Sequence, residues 1–118
     1  MRKPPIYKSF FNAFRGVFLM LKTERNFQLE VLAFFINIIL IFYFQLSNID
    51  TIIILIVSFG VLSAEIFNTA IEKICDFIQP EFDKRIGFIK DISAGAVMLT
   101  AILSVVTGVL VYWKYIFN

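Results

Sequence analysis

Three carboxylates and an amide stand at Glu65, Asn68, Glu72 and Asp76, spaced three, four and four residues apart. On a helix this spacing lays them along one stripe. They follow an apolar run from Ile52 to Ala64 that Ser58, Gly60 and Ser63 interrupt. Acids placed along a helix at the edge of a bilayer are costly, so something must repay them, and a cation is the obvious candidate. Two other stretches reach the same depth: Glu24, just before the first apolar run, and Lys90-Asp91, ahead of the third. Acids from two helices, a lysine and waters make an oxygen-rich octahedral site suited to Mg²⁺. A metal and a lysine together hold a polyphosphate, and a carboxylate left over can take a proton from a hydroxyl. This is the inventory of phosphoryl transfer. No GxxxxGK[ST] loop occurs, so a nucleotide would be held by side chains and metal.

The rest of the composition narrows the classes. There is no histidine, which removes histidine triads, histidine-metal sites and zinc fingers. The single cysteine, Cys75, excludes an intrachain disulfide and is expected to be inert. The chain has 118 residues, 59% of them hydrophobic, with 15 phenylalanines and a mean hydropathy of +0.83. Too few polar residues remain to cover a soluble domain of this size. The expected class is an all-α integral membrane protein with one domain spanning residues 1–118.

The elements that must position the acids follow from the apolar runs. Residues 6–22 read as a basic amphipathic helix on the membrane surface, or packed on the end of the bundle. Thr23-Glu24-Arg25-Asn26-Phe27-Gln28 is a polar knot, in which Thr23 is a candidate cap for the next helix. The spans are expected at 29–46, 52–78 and 90–115, with a short turn at 47–50. Asn37, the one polar group in mid-span, is expected to make an interhelical hydrogen bond. Pro80 ends the second helix, and 80–89 is a charged loop or short surface helix. Tyr112, Trp113 and Tyr115 read as an interfacial belt at the end of the third span. The small residues Ala94, Gly95, Ala101, Ser104 and Gly108 suit close helix packing, and Ala94 and Gly95 would also leave room for a lipid head.

Basic residues precede the first span and populate the second connection, whereas the first connection has none. The positive-inside rule then puts the N-terminus and the 73–90 connection in the cytoplasm and the C-terminus outside. The acid stripe thereby faces the compartment that holds ATP and Mg²⁺. The N-terminus is not expected to act as a cleavable signal peptide, since Asn12 and Arg15 interrupt its apolar part.

Blander readings exist for single charges. Glu30, Glu81 and Asp83 taken singly are solvated helix ends or loop residues. Lys73 is a solvated or headgroup-contacting charge, and Asp76 divides between the site and a salt bridge with Lys73 or an arginine. Two non-kinase readings also compete. A small cation-pathway subunit without catalysis needs polar groups through the full bilayer depth, and the runs 38–44, 52–57 and 96–99 supply almost none. A purely structural membrane subunit leaves the acid stripe unexplained.

The motifs Glu65-x-x-Asn68-Thr69-Ala70-Ile71-Glu72-x-x-x-Asp76, Thr23-Glu24-Arg25-Asn26-Phe27, Ala13-Phe14-Arg15-Gly16 and Lys90-Asp91-Ile92-Ser93-Ala94-Gly95-Ala96-Val97 together resemble the bacterial integral-membrane diacylglycerol kinases, in the same order and spacing. The resemblance runs from about residue 8 to 112, and the TERNF and SAGAV forms are closer to the undecaprenol kinase branch. It implies a homotrimer of three-span subunits in the inner (cytoplasmic) membrane, each with an N-terminal surface helix and with active sites shared between neighbours. It implies ATP-dependent phosphorylation of a membrane lipid alcohol, with no nucleic-acid partner. By resemblance Glu65 is the catalytic base, and Glu24 and Glu72 bind Mg²⁺. Lys90 and Asp91 contact the nucleotide, as do Glu81, Asp83 and Asn12. At Asp83 the family often carries histidine. Asn68 orients the site, and Ala94 touches lipid.

Overall fold

The computed structural model describes residues 3–117; Arg2, counted among the N-terminal basic residues, lies outside them. Four helices follow one another: α1 (Ile6–Thr23), α2 (Arg25–Phe44), α3 (Asn48–Ile78) and α4 (Lys84–Ile116). The last three are long and apolar enough to cross a membrane. At 1.5 Å per residue, α3 and α4 run to about 45–50 Å, well beyond a hydrocarbon core of about 30 Å. Their ends therefore have length to spare for polar chemistry.

The residues buried within one chain are few. Phe27, Ile54, Val61, Cys75, Met20 and Val111 form the apolar core, while large side chains such as Leu32, Phe42, Ile56 and Val105 stay exposed. Such surface is tolerable only against lipid or other helices.

Each boundary has a local cause, and several differ from the expectation. Thr23 does not cap α2. It is the last residue of α1, and its hydroxyl donates back to the Leu19 carbonyl at 2.7 Å. Glu24 is the single extended residue between α1 and α2. The Gln28 amide donates to the Leu21 carbonyl at 2.8 Å, satisfying an orphan acceptor of the last turn of α1 and fixing the corner. Buried Phe27 anchors it. The first connection is shorter than expected. Gln45 ends α2 in the left-handed region (φ 52°), and Ser47 caps α3 by accepting from the Asp50 N–H at 3.2 Å, so Asn48 already opens the helix. The third span opens at Lys84 and not at Lys90, because Asp83 accepts from the Arg85 N–H at 2.8 Å and caps it.

Asn37 makes its expected interhelical bond: the Tyr112 hydroxyl donates to Asn37 Oδ1 at 2.7 Å, joining α4 to α2. Of Tyr112, Trp113 and Tyr115 only Trp113 is exposed, because the Tyr112 and Tyr115 hydroxyls turn inward. Tyr115 donates to Asp50 Oδ2 at 2.7 Å and accepts from the Ser47 N–H at 3.0 Å, and Lys114 Nζ lies 3.0 Å from the same Asp50 oxygen. Asp50, Lys114, Tyr115 and Ser47 thus form a clasp that fastens the α2–α3 turn and the start of α3 to the end of α4.

Candidate active site

The opposite end of the bundle gathers the start of α2, the end of α3 and the start of α4. Glu65 lies midway along α3, on the way to that end, as a buried carboxylate, 7% exposed. It has neither a hydrogen-bond donor nor a cation acting on it among the described residues. Its charged neighbours are acids, Glu30 on α2, Glu72 on α3 and Glu24 at the α1–α2 corner. Such a carboxylate is available to accept the proton of a hydroxyl, with no described side chain donating to it.

One turn along α3, the Asn68 amide donates to Glu72 Oε1 at 3.1 Å. That bond fixes the Glu72 carboxylate at i+4 and leaves Asn68 Oδ1 buried with no partner among the described residues. An orphaned amide oxygen beside a carboxylate is an unfilled request for a donor or a cation. Glu24 is half-buried at the α1–α2 corner, and its carboxylate lies 3.9 Å from Lys73 Nζ. Lys73, read as a solvated charge, thus also spans to the corner.

Asp76 is paired neither with Lys73 nor with an arginine. Its partner is Lys90 on α4, at 2.5 Å. This pair joins α3 to α4 and forms one wall of a groove of about 310 Å³, also lined by Gln79, Pro80, Glu81, Asp83 and Gly87. Three of the residues expected at the nucleotide, Glu81, Asp83 and Lys90, therefore share one cavity. The Arg85 guanidinium and backbone beside Asp83 hold its carboxyl below the usual aspartate range. Asp91 and Ala94 are exposed on α4, and Asn12 is exposed on α1.

Sequence reasoning gave Glu30 only a solvated role. The half-buried Glu30 belongs to the acid group around Glu65, and the signal was its place inside the first span instead of in the polar knot. Asp50 was missed as a polar centre because its partners, Lys114 and Tyr115, lie more than sixty residues away in sequence.

The residues suit Mg²⁺. Among the described residues no three acids close into a ready cage. Mg²⁺ does not require one, because it binds through one or two carboxylates and completes its shell with phosphates and water. Glu72, the unpartnered Asn68 oxygen and Glu24 are hard oxygen donors of that kind.

This arrangement defines a three-span helical membrane protein with an acid-lined site at one end of its bundle. The family model described as prokaryotic diacylglycerol kinase matches residues 11–112. The chain is 38% identical over 106 residues to the undecaprenol kinase of Bacillus subtilis, covering 90% of this chain and 86% of that protein. It is 30% identical to the diacylglycerol kinase of Synechocystis over 89% of this chain and 61% of the relative. It is 26% identical to that of Escherichia coli K12 over 78% of this chain and 75% of the relative. The chain belongs to the prokaryotic diacylglycerol kinase family, on its undecaprenol kinase-like branch, and by that membership it is a lipid kinase.

Proposed function

We propose that the protein transfers the γ-phosphoryl group of ATP to the hydroxyl of a membrane lipid alcohol, undecaprenol or diacylglycerol, giving the lipid phosphate and ADP. The observation that carries this reading is Glu65, a buried carboxylate on a membrane helix with no donor or cation to satisfy it among the described residues. Glu65 takes the proton of the lipid hydroxyl as its oxygen attacks the γ-phosphorus, and the bond to the β-phosphate oxygen breaks. Asn68 orients the Glu72 carboxylate through their hydrogen bond. Lys90, on the wall of the groove, neutralises phosphate charge, while Asp91, Glu81, Asp83 and Asn12 contact the nucleotide. Glu24 and Glu72 hold Mg²⁺, which when bound screens the phosphate oxygens and orients them.

The protein works as a homotrimer in the inner membrane, with the N-terminus cytoplasmic and α1 on the membrane surface. Two features support assembly. A Cβ built on Gly95 or Gly108 meets nothing within 4 Å, so no close approach inside one chain requires glycine at either position. Most of the large apolar side chains of the spans are also uncovered. Ala94, exposed on α4, is the lipid-contacting position.

The test is radiolabelled phosphate transfer from ATP to undecaprenol and to diacylglycerol, side by side, with wild type and Glu65→Gln. Loss of a general base predicts a fall in kcat of about 10²- to 10⁴-fold, with the thermal transition in detergent retained. Near-normal turnover by Glu65→Gln would remove Glu65 from its role. Absence of label in both lipids would overturn the kinase reading.

A further inference from the structure

The cationic edge of α1 is used by nothing in the site. Lys8, Arg15 and Lys22 follow one another at intervals of seven. Seven residues fall about 20° short of two turns, so the three lie within roughly 40° of each other, about 10 Å apart along the axis. All three are exposed. The helix has no acidic residue to neutralise them, and none joins an ion pair among the described residues.

The stripe borders the apolar side of the helix. Phe10, Phe11, Phe14 and Phe18 are all exposed, and Met20 is the only buried residue of α1. An 18-residue helix held to the bundle by its last turn, with aromatic rings on one side and unpaired cations along the rim, is built to lie in an interface. The rings enter the acyl boundary, and the basic stems run along it to place their charges at the headgroups.

We propose that Lys8, Arg15 and Lys22 form a docking edge for the headgroups of anionic lipids, so that α1 settles onto a negatively charged bilayer surface in preference to a neutral one. Charge complementarity selects the occupant: three cations with no protein counter-charge match a surface of lipid phosphates. The edge is separate from the phosphoryl-transfer site, and the inference holds whichever lipid that site accepts.

The experiment reads α1 without using activity. The full chain is reconstituted into vesicles of phosphatidylcholine alone, or of phosphatidylcholine mixed with phosphatidylglycerol, and amide hydrogen exchange is followed across α1 to α4. Each basic group near an anionic surface is worth about a fivefold shift in equilibrium. Exchange across α1 should therefore slow by about tenfold or more in the anionic vesicles, with α2–α4 unchanged. The slowing should vanish in Lys8→Gln/Arg15→Gln/Lys22→Gln. It should persist in the charge-preserving Lys8→Arg/Arg15→Lys/Lys22→Arg. Equal protection of α1 in the two vesicle types would overturn the proposal and assign the face to neutral lipid or a second copy of the chain. So would slowing retained by the glutamine variant.

Discussion

Lys90 on α4 reaches back across fourteen residues to the Asp76 carboxylate on α3, so the lysine assigned to the nucleotide is already tied to the wall of its groove. An ammonium has three donors, and this contact uses one. The pair is largely solvent-facing, with Asp76 60% exposed, so its worth to stability is small. Its worth to binding is pre-organisation, because a free lysine would have to be ordered when the triphosphate arrives.

Asp76→Asn should accordingly raise the KM for ATP by about two- to fivefold and leave kcat nearly unchanged. Lys90→Met should raise it further, by tenfold or more on the scale of a lost charge-assisted bond. ATP titrations at saturating lipid decide this. A fall in KM for Asp76→Asn would mean that the acid competes with the nucleotide for Lys90.

Glu24 and Glu72 are assigned to the metal, and Asn68 holds Glu72 in place. Glu24→Gln and Glu72→Gln should each raise the Mg²⁺ concentration needed for half-maximal rate, as well as lower the rate. Asn68→Ala should raise it less, by about three- to tenfold, because it removes only the neutral hydrogen bond that positions Glu72. Mg²⁺ titrations at fixed ATP separate the three. An unchanged Mg²⁺ dependence in both glutamine variants would sink the metal assignment.

The Tyr112–Asn37 bond lies far from these acids and should be read in stability alone. Tyr112→Phe removes the donor and leaves the Asn37 oxygen without it. Hydrogen bonds between membrane helices average about 0.6 kcal/mol, with a maximum near 1.7. The expected loss is about 0.5–2 kcal/mol in reversible detergent unfolding, with KM for ATP unaltered.

Asp83 supplies a pH signature at the start of α4. Its side-chain bond to Arg85, with the backbone bond to the same residue, lowers its pKa from the ordinary 3.8. A group lowered on folding stabilises the folded state above its ordinary pKa, and that contribution is lost as pH falls through the lowered value. Amide exchange in the first turn of α4 should therefore be steady from neutral pH down to about 4 and rise below it, after correction for intrinsic rates. In Asp83→Asn, which keeps a capping oxygen without the charge, that acid-induced rise should be absent.

The count of spans and the acid stripe were readable because both are local periodicities: an apolar run needs no partner, and Glu65, Asn68 and Glu72 share a face by arithmetic. Asn37 was readable for the same reason, since one amide in a lipid-bound helix has few alternatives to another helix. The boundaries moved because capping competes at short range. Ser47 and Asp83 begin α3 and α4 four and six residues earlier than hydropathy alone suggests, and Thr23 bonds backward to Leu19 instead of forward. The hydroxyl partners of the tyrosines were not readable, because an interfacial tyrosine and an inward donor have the same composition. Only the chain's return brings Tyr115 to Asp50, sixty-five residues away.

The Asp50 clasp has a mechanical consequence. It pins one end of the helices through three polar side chains, Asp50, Lys114 and Tyr115, one of them a buried carboxylate, together with the Ser47 backbone N–H. At the other end the described ion pairs between helices, Asp76 with Lys90 and Glu24 with Lys73, keep much of their surface in solvent. Any splaying of these helices would therefore pivot at Asp50. Glu65 lies fifteen residues up the arm, about 22 Å from the pivot, so a splay of about three degrees moves it by about 1 Å. Displacements of that size separate reactive from unreactive geometry in a transfer between two held groups. Loosening the clasp would therefore widen the stroke at Glu65, and Lys114, far from Glu65 in sequence, sits on the fulcrum.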